Sequence, residues 1–510
     1  MSKANASSGN GDTPRTEVVK APKTAKRALW IMGLSIILVL YVHTSLAPAL
    51  TQMVDYFDTD YGTVSWVFTA YLVSGAAVTI VIGRLADIFG AKKMLLLVMI
   101  CYIVGTVFGG FTQNIYTLLV FRTIQGVAVA LVPICIRIAR DLHPPEKFPY
   151  AQGVLLSMYQ GGSAIGLVLG AMVVYFGGWQ SVFYSAIPFA FLFFFLLWKF
   201  IPKDSQHPNF GTAKNGEKND KAPKHHGKVI DVPGIVTMVI AICTFMLAIT
   251  FLGKGKDYVD VFWIFLGIGA ASLAGFFIIE KRSDLPLVNL KLAFHKIIRV
   301  GNVSYLMLGI VQYIIFSTIP TLGQTVEPYG LGLTIFEVGF LQLPSALVFV
   351  ILGPIAGMMA IKHGSLKYIV PGSIILAIGI VALLAFHSTP AEVASVLILF
   401  AVGGAFVTLS ANIIIYFTPP DSTAVVAATY STMRIIGGAI GPVIAGLFLT
   451  LYTAEVKTSE GVITAVPNTT AFNAIFLIGA ITSLSLVALM IIMKRRAIHM
   501  GMPAHPQVHK

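Results

Sequence analysis

From residue 28 to residue 493 the chain is a series of long apolar runs separated by short polar breaks. The runs lie at 28–50, 61–83, 94–112, 115–139, 150–176, 180–200, 230–252, 260–280, 297–320, 333–360, 366–386, 390–416, 424–452 and 472–493. Each can cross a hydrocarbon core as a helix, which takes about 20 residues. Fourteen runs predict fourteen transmembrane helices and an all-α polytopic membrane protein. Two polar intervals differ from the tight turns elsewhere. Residues 201–229 are rich in Lys, Asn, Gly and Pro, as a linker is, and 286–299 (P-L-V-N-L-K-L-A-F-H-K-I-I-R) alternates apolar and basic residues, as an interfacial helix or a plain connector would. Residues 1–27 are polar and read as a disordered tail. They place the first apolar run too far along, and without a small-residue cleavage site, for a removed signal peptide.

Landmarks recur at a fixed spacing. Gly83 and Gly90 in G-R-L-A-D-I-F-G-A-K-K are matched by Gly357 and Gly364 in G-M-M-A-I-K-H-G, both offset by 274. Gly166 in G-S-A-I-G-L-V-L-G is matched by Gly441 in G-A-I-G-P-V-I-A, offset by 275. Unrelated landmarks with one spacing argue for duplicated halves. The expected organisation is a cytoplasmic tail (1–27), a six-helix bundle (28–200), a cytoplasmic linker (201–229), a two-helix insert (230–281), an interfacial segment (282–296), a second six-helix bundle (297–493) and a cytoplasmic tail (494–510). Two such bundles with a site between them at mid-membrane follow the logic of a rocking transporter.

Composition agrees. The chain is 56% hydrophobic and 11% charged, against about 25% charged in soluble proteins. Its net charge of +13 reports topology, because no water-facing domain is long enough to present a nucleic-acid patch. With fourteen spans and the N-terminus inside, 30 of the 35 Lys and Arg residues fall on the cytoplasmic side; Lys254, Lys256 and Lys457 fall outside, and Arg122 and Arg434 fall within spans. Both termini are therefore expected in the cytoplasm, and the protein in the plasma membrane. Cys101, Cys135 and Cys243 lie in separate apolar runs and form no disulfide framework. His225 and His226 stand together without further ligands and read as solvated linker residues, so no metal and no cofactor is expected. Hydrolase and metalloprotease signatures are missing, as are filter-like loops, which disfavours a membrane enzyme or a channel.

The segment G-R-L-A-D-I-F-G-A-K-K resembles the loop signature of the major facilitator superfamily between its second and third helices. W-V-F-T-A-Y-L-V (66–73), R-T-I-Q-G (122–126) and R-I-I-G-G-A-I-G-P (434–442) resemble motifs of its fourteen-helix drug:proton antiporter group. The resemblance covers about 28 to 495 and implies alternating access, no enzymatic chemistry, and export of amphipathic compounds in exchange for protons. The expected partners are a small-molecule substrate, protons and the lipid bilayer, with no nucleic acid, and the chain is expected to act as a monomer. A uniporter, or a proton symporter of a sugar or organic acid, is the alternative.

Arg122 is the sharpest candidate. A guanidinium about 10 Å into the bilayer costs roughly 2.5 kcal/mol or more unless it faces protein or water. Gln125 shares its helix face, and the pair could hold substrate or a proton-relay water, or serve packing alone. Arg434 is weighed in the same way. The resemblance places the family's acid nine positions before Pro48, where this chain has Val39; His43 lies one turn further on. His43 is the expected proton carrier, with Arg122 opposing its protonation; a structural hydrogen-bonding role is the alternative. Glu337 is the reserve carrier.

The resemblance also implies that spans one, four, nine and twelve line the cavity. Tyr41, Thr44, Gln312, Tyr313, Ser410 and Asn412 are the candidate polar and aromatic lining. Gly162, Gly166 and Gly170 form one helix face for close packing, with Gly437, Gly441 and Pro442 in the second half; Leu167 stands where the first half would have the proline. Gly83, Asp87, Gly90, Lys92 and Lys93 form a proposed conformational latch. In it Gly83 ends the second span, and Asp87 meets the N-terminus of the thirteenth near Asp421, Ser422 and Thr423. Asn468-Thr469-Thr470 is a possible glycosylation acceptor in an outer loop.

Overall fold

The computed structural model describes residues 23–143, 148–202, 231–252, 258–283, 290–418, 423–457 and 463–502. The first bundle contains α1 (Lys23–Ser45), α2 (Leu50–Phe57), α3 (Tyr61–Phe89), α4 (Ala91–Gly110), α5 (Ile115–Gly126), α6 (Leu131–Leu142), α7 (Phe148–Gly177) and α8 (Gln180–Phe200). The insert is α9 (Val232–Leu252) and α10 (Val259–Arg282). The second bundle has α11 (Leu290–Ala293), α12 (Lys296–Gln324), α13 (Ile335–His363), α14 (Ile369–Ala382), α15 (Pro390–Val407), α16 (Ser410–Tyr416), α17 (Thr423–Leu451) and α18 (Thr469–His499). Between α17 and α18 an antiparallel ribbon pairs β1 (Thr453–Lys457) with β2 (Ile463–Pro467). Fourteen helical segments among the described residues are long and apolar enough to span a membrane, with α5 joined to α6 and α15 to α16. The protein is an all-α polytopic membrane protein.

Several expected boundaries move, each for a local reason. The first span stops at Ser45 and restarts as α2 at Leu50, because Pro48 has no N–H to continue the ladder. The second apolar span does end at Gly83 as expected, but its helix does not: α3 runs on to Phe89, and a β-carbon at Gly83 would meet nothing within 4 Å. One glycine is tolerated in a helix interior at about 1 kcal/mol. The turn belongs to Gly90 alone, whose φ of 101° disfavours other residues. Gly364, with φ 81°, does the same after α13, while Gly357 lies inside that helix. Of the segment 286–299, expected as an interfacial helix or a connector, the described part holds the single turn α11 and then Lys296–Arg299, which already belong to α12; residues 284–289 lie outside the described set. Asn468 is the N-cap of α18, accepting from the Ala471 N–H at 3.2 Å, so its side chain has a structural partner.

Matching glycine faces build the two bundles. Along α7, β-carbons on Gly162, Gly166 and Gly170 would lie 2.8, 3.0 and 2.4 Å from the Cα atoms of Ile37, Tyr41 and Ser45, so α1 and α7 can approach only because those β-carbons are missing. In the second half Gly437 and Gly441 of α17 face α12 at Leu306 and Ile310 in the same way. Ser45 reinforces the first seam by donating to the Gly166 carbonyl at 2.8 Å.

The bundles meet along α3 and α17, and along α7 and α13. The Gly62 N–H donates to Thr450 Oγ1 at 3.1 Å, the Thr69 hydroxyl to the Ala439 carbonyl at 3.1 Å, and Gln324 Nε2 to the Pro48 carbonyl at 2.8 Å. Gly62, Pro48, Gln324 and Thr450 are near helix ends on the face opposite the start of α1 and the end of α18. Helix α9 packs over the α3–α17 seam: Met238, Ile242 and Met246 share an apolar cluster with Tyr71, Val73, Ala76 and Ile435, and the Trp66 indole N–H donates to Thr250 Oγ1 at 2.9 Å.

Candidate functional site

The sequence of α5 explains where its arginine goes. Gly126 packs against α3 so closely that a β-carbon there would sit 2.2 Å from the Tyr71 carbonyl oxygen, and Gly105 of α4 meets Gln125 from the other side. These two glycines draw α3, α4 and α5 together around Arg122. The R-T-I-Q-G motif is thus a buried cation followed by the residue that lets its neighbours close over it.

Arg122 is fully buried. Its Nε donates to the Val67 carbonyl at 3.0 Å, Nη1 to Gln125 Oε1, and Nη2 lies 3.0 Å from His43 Nδ1. Gln125 Nε2 donates to Thr106 Oγ1 at 2.8 Å, and that hydroxyl donates to the Tyr102 carbonyl at 2.7 Å. The guanidinium lies 4.6 Å from the centre of the Tyr71 ring, a desolvated cation–π contact worth about 2 kcal/mol. Among the described residues the partners of Arg122 are all neutral: a backbone carbonyl, an amide, an imidazole and a phenol ring.

The network fixes the protonation pattern of His43. A guanidinium donates and never accepts, so Nδ1 must accept, and the neutral ring carries its proton on Nε2. The imidazole stacks on Tyr71, with centroids 4.3 Å apart, and lies 5.6 Å from Tyr313 of the opposite bundle. A second proton on Nδ1 would have to displace the guanidinium.

A second cation sits across the seam. Arg434 lies 11 residues beyond the start of α17 at Thr423; its Nη2 donates to Gln312 Oε1 at 2.6 Å, and its guanidinium is 5.7 Å from the Tyr159 ring of the first bundle.

The structure thus brings together His43, Arg122, Gln125 and Tyr313, and separately Gln312 with Arg434. Other candidates face elsewhere. The Tyr41 hydroxyl is 2.8 Å from Ser185 Oγ on α8, and Thr44 donates to the Ser163 carbonyl at 3.0 Å in the α1–α7 seam. Asn412 is exposed and donates to Ser365 Oγ at 3.1 Å, while Ser410 is buried at the start of α16. Glu337 is exposed and closes a capping box with Thr334 at the N-terminus of α13, so its carboxylate has a helix-capping partner and stands apart from the His43–Arg122 network. Lys92 reaches the Trp198 and Ile201 carbonyls at 2.7 and 2.5 Å and caps α8 within its own bundle, and Lys93 is exposed. The Asp87 side chain and residues 419–422 lie outside the described residues, and so does the proposed latch contact.

Sequence reasoning did not single out Tyr71, Thr106 or Tyr159 as site residues. Tyr71 was legible in part, one helical turn after Val67 and on the face that Gly126 approaches. Thr106 and Tyr159 have no signal that separates them from other helix-packing residues.

The family profile described as Major Facilitator Superfamily matches residues 32–294 and 301–504. Multidrug resistance protein 3 of Bacillus subtilis (strain 168) is 27% identical over 301 residues, 58% of this chain and 54% of that relative. The multidrug transporter protein MdtP of the same organism is 24% identical over 453 residues, covering 86% of this chain and 79% of the relative. The uridine/deoxyuridine transporter of Lactococcus lactis subsp. cremoris (strain MG1363) is 27% identical over 352 residues, covering 66% and 68%. Among solved structures, the POT family transporter PepTSo superposes with a TM-score of 0.61 at 13% identity, covering 94% of this chain and 99% of its own, which is a likeness of fold alone.

Proposed function

The chain belongs to the major facilitator superfamily and is a transporter of a small-molecule substrate rather than an enzyme, and we propose that it couples protons to the export of small amphipathic compounds by alternating access. The observation that carries this reading is the position of His43. It is a titratable group buried between the bundles, bonded to Arg122 of its own half and stacked near Tyr313 of the other. Any movement that separates α12 from α1 must change its surroundings, and so its affinity for a proton.

The proposed cycle follows from the contacts. Cross-bundle hydrogen bonds at Gly62 and Pro48 close the face opposite the start of α1, and the Thr69 bond continues the α3–α17 seam inward. On the proposed topology, a monomer in the plasma membrane with both termini in the cytoplasm, the closed face is the outer one. Outward opening would break the Gly62–Thr450 and Pro48–Gln324 bonds and part the α3–α17 seam. Loading Nδ1 of His43 and releasing the Arg122 guanidinium would be one event, which gives proton binding a mechanical consequence.

A specific observation also favours symport of an organic acid as a second reading: Arg122 and Arg434 approach the seam, and α1, α7, α12 and α17 contain no Asp or Glu. Inverted vesicles with an imposed pH gradient test both. Export by exchange predicts that an amphipathic dye accumulates when the interior is acid. Symport predicts accumulation only under the opposite gradient. Movement indifferent to either gradient would contradict proton coupling altogether.

A further inference from the structure

Where α18 ends against the start of α12, the second bundle gathers a set of cations. The Arg496 guanidinium crosses between the two helices, its Nη1 donating to the Lys296 carbonyl at 2.9 Å, and one turn deeper a β-carbon at Gly301 would lie 3.5 Å from Met493 Cε. Antiparallel packing thus sets Lys296 and Arg299 of α12 level with Lys494, Arg495 and Arg496 of α18. Two of these cations stand in the first turn of α12, where the helix dipole disfavours them.

The neighbouring elements do not offset this charge. Neither α12 nor α18 contains Asp or Glu, and α11, α14, α16 and α17, which pack against them, contain none. The acids of α2 and α13 lie toward the other end of α12, where Pro48 meets Gln324 and Val338 meets Gly323. The first bundle treats its corresponding ends differently: Arg27 of α1 and Lys199 of α8 both lie over the Phe200 ring, at 5.1 and 5.6 Å. Among the described residues no ring covers Lys296, Arg299, Arg495 or Arg496. The cations also lead into apolar surface. On α12, Lys296, Arg299 and Val303 share one exposed helix face, and on α18 Arg495 continues the exposed face of Ile481, Leu484 and Ile492. An occupant of this junction is therefore anionic at one end and apolar at the other.

We infer that the junction of α12 and α18 binds the head group of an anionic phospholipid. The phosphate accepts from Arg299 and Arg495, whose planar forks match phosphate oxygens, and the acyl chains lie along Val303 and Ile492. A zwitterionic lipid binds more weakly, because it brings its own cation into the cluster. Free phosphate lacks the chains that the apolar faces would cover. The site needs only the membrane-spanning fold and stands whatever the protein transports.

The test uses the purified full-length protein in a neutral detergent. Dioleoylphosphatidylglycerol, dioleoylphosphatidylcholine and sodium phosphate are titrated separately, and affinity is read from the rise in melting temperature with concentration. Phosphatidylglycerol is expected to act at a concentration about tenfold lower than phosphatidylcholine, and phosphate to leave the melting temperature unchanged. Arg299→Gln/Arg495→Gln is expected to weaken phosphatidylglycerol about tenfold. Its ligand-free melting temperature should not fall, since both side chains are exposed. Lys281→Gln/Arg282→Gln removes the same charge from the exposed end of α10 and should change the affinity by less than about twofold. An equal response of the wild-type protein to the two lipids overturns the inference without any variant. An equal loss of affinity in the two double variants overturns it too, because the lipid then senses net charge and not this junction. So does a rise of the same size with phosphate alone.

Discussion

Nη2 of Arg122 lies 3.0 Å from Nδ1 of His43, joining a permanent cation of α5 to a titratable ring of α1 inside the membrane. The same guanidinium is bonded to Val67 and Gln125 and covers Tyr71, so its geometry depends on a planar fork with several donors. Lysine has one compact ammonium and cannot reproduce that fork. Arg122→Lys is expected to lose about 2 kcal/mol of stability and most transport, because Gln125 and His43 cannot both keep a partner. Melting curves and uptake into proteoliposomes measure the two effects.

Glycines in this chain divide by what a β-carbon would meet. At Gly126 it would run into the Tyr71 backbone, and at Gly83 it would meet open space. Gly126→Ala should therefore cost about 1–3 kcal/mol, as overpacking does, and should disturb transport by moving α3 off α5. Gly83→Ala should be neutral or stabilising by up to about 1 kcal/mol, since α3 is helical there. Thermal unfolding of the two variants side by side distinguishes a hinge at Gly83 from a continuous helix.

Closure of the α3–α17 seam is tested by cross-linking. A β-carbon at Gly62 would lie 3.6 Å from Thr450 Oγ1, the atom that a cysteine sulfur at 450 would replace, so the two side chains would face each other at close range. The Gly62→Cys/Thr450→Cys pair should form a bond under oxidation, stop transport, and recover when reduced. Full transport by the cross-linked protein would show that the seam need not open.

Glu337 provides a control for proton coupling. Its carboxylate accepts from the Thr334 N–H at 2.8 Å and from the Thr334 hydroxyl at 2.9 Å, on the exposed end of α13. Glu337→Gln should leave pH-driven transport unchanged, measured as the initial rate of uptake after a pH jump.

The parts of this fold that follow from local periodicity were legible in the sequence. Apolar runs of membrane length located the spans, and the glycine spacing in α7 marked a close-packing face without saying that α1 fills it. Arg122 and Gln125 could be paired because one helical turn separates them. What local pattern cannot supply is the direction a side chain takes in three dimensions. Tyr41 and Thr44 share a helix with His43, yet they turn toward Ser185 and Ser163, because α8 and α7 lie on those sides. Tyr71 became part of the site only through the approach of α3 to α5 at Gly126. Gly83 looked like a break because a glycine near charged residues resembles a turn; the positive φ at Gly90 is what ends the helix.

The central claim is that His43 carries the proton that drives transport. The most direct measurement compares wild type with His43→Gln in proteoliposomes, recording both accumulation under an imposed pH gradient and substrate exchange at equal pH. The account predicts that His43→Gln keeps exchange, at reduced affinity, and loses gradient-driven accumulation. Accumulation that continues at the wild-type level in that variant would contradict it.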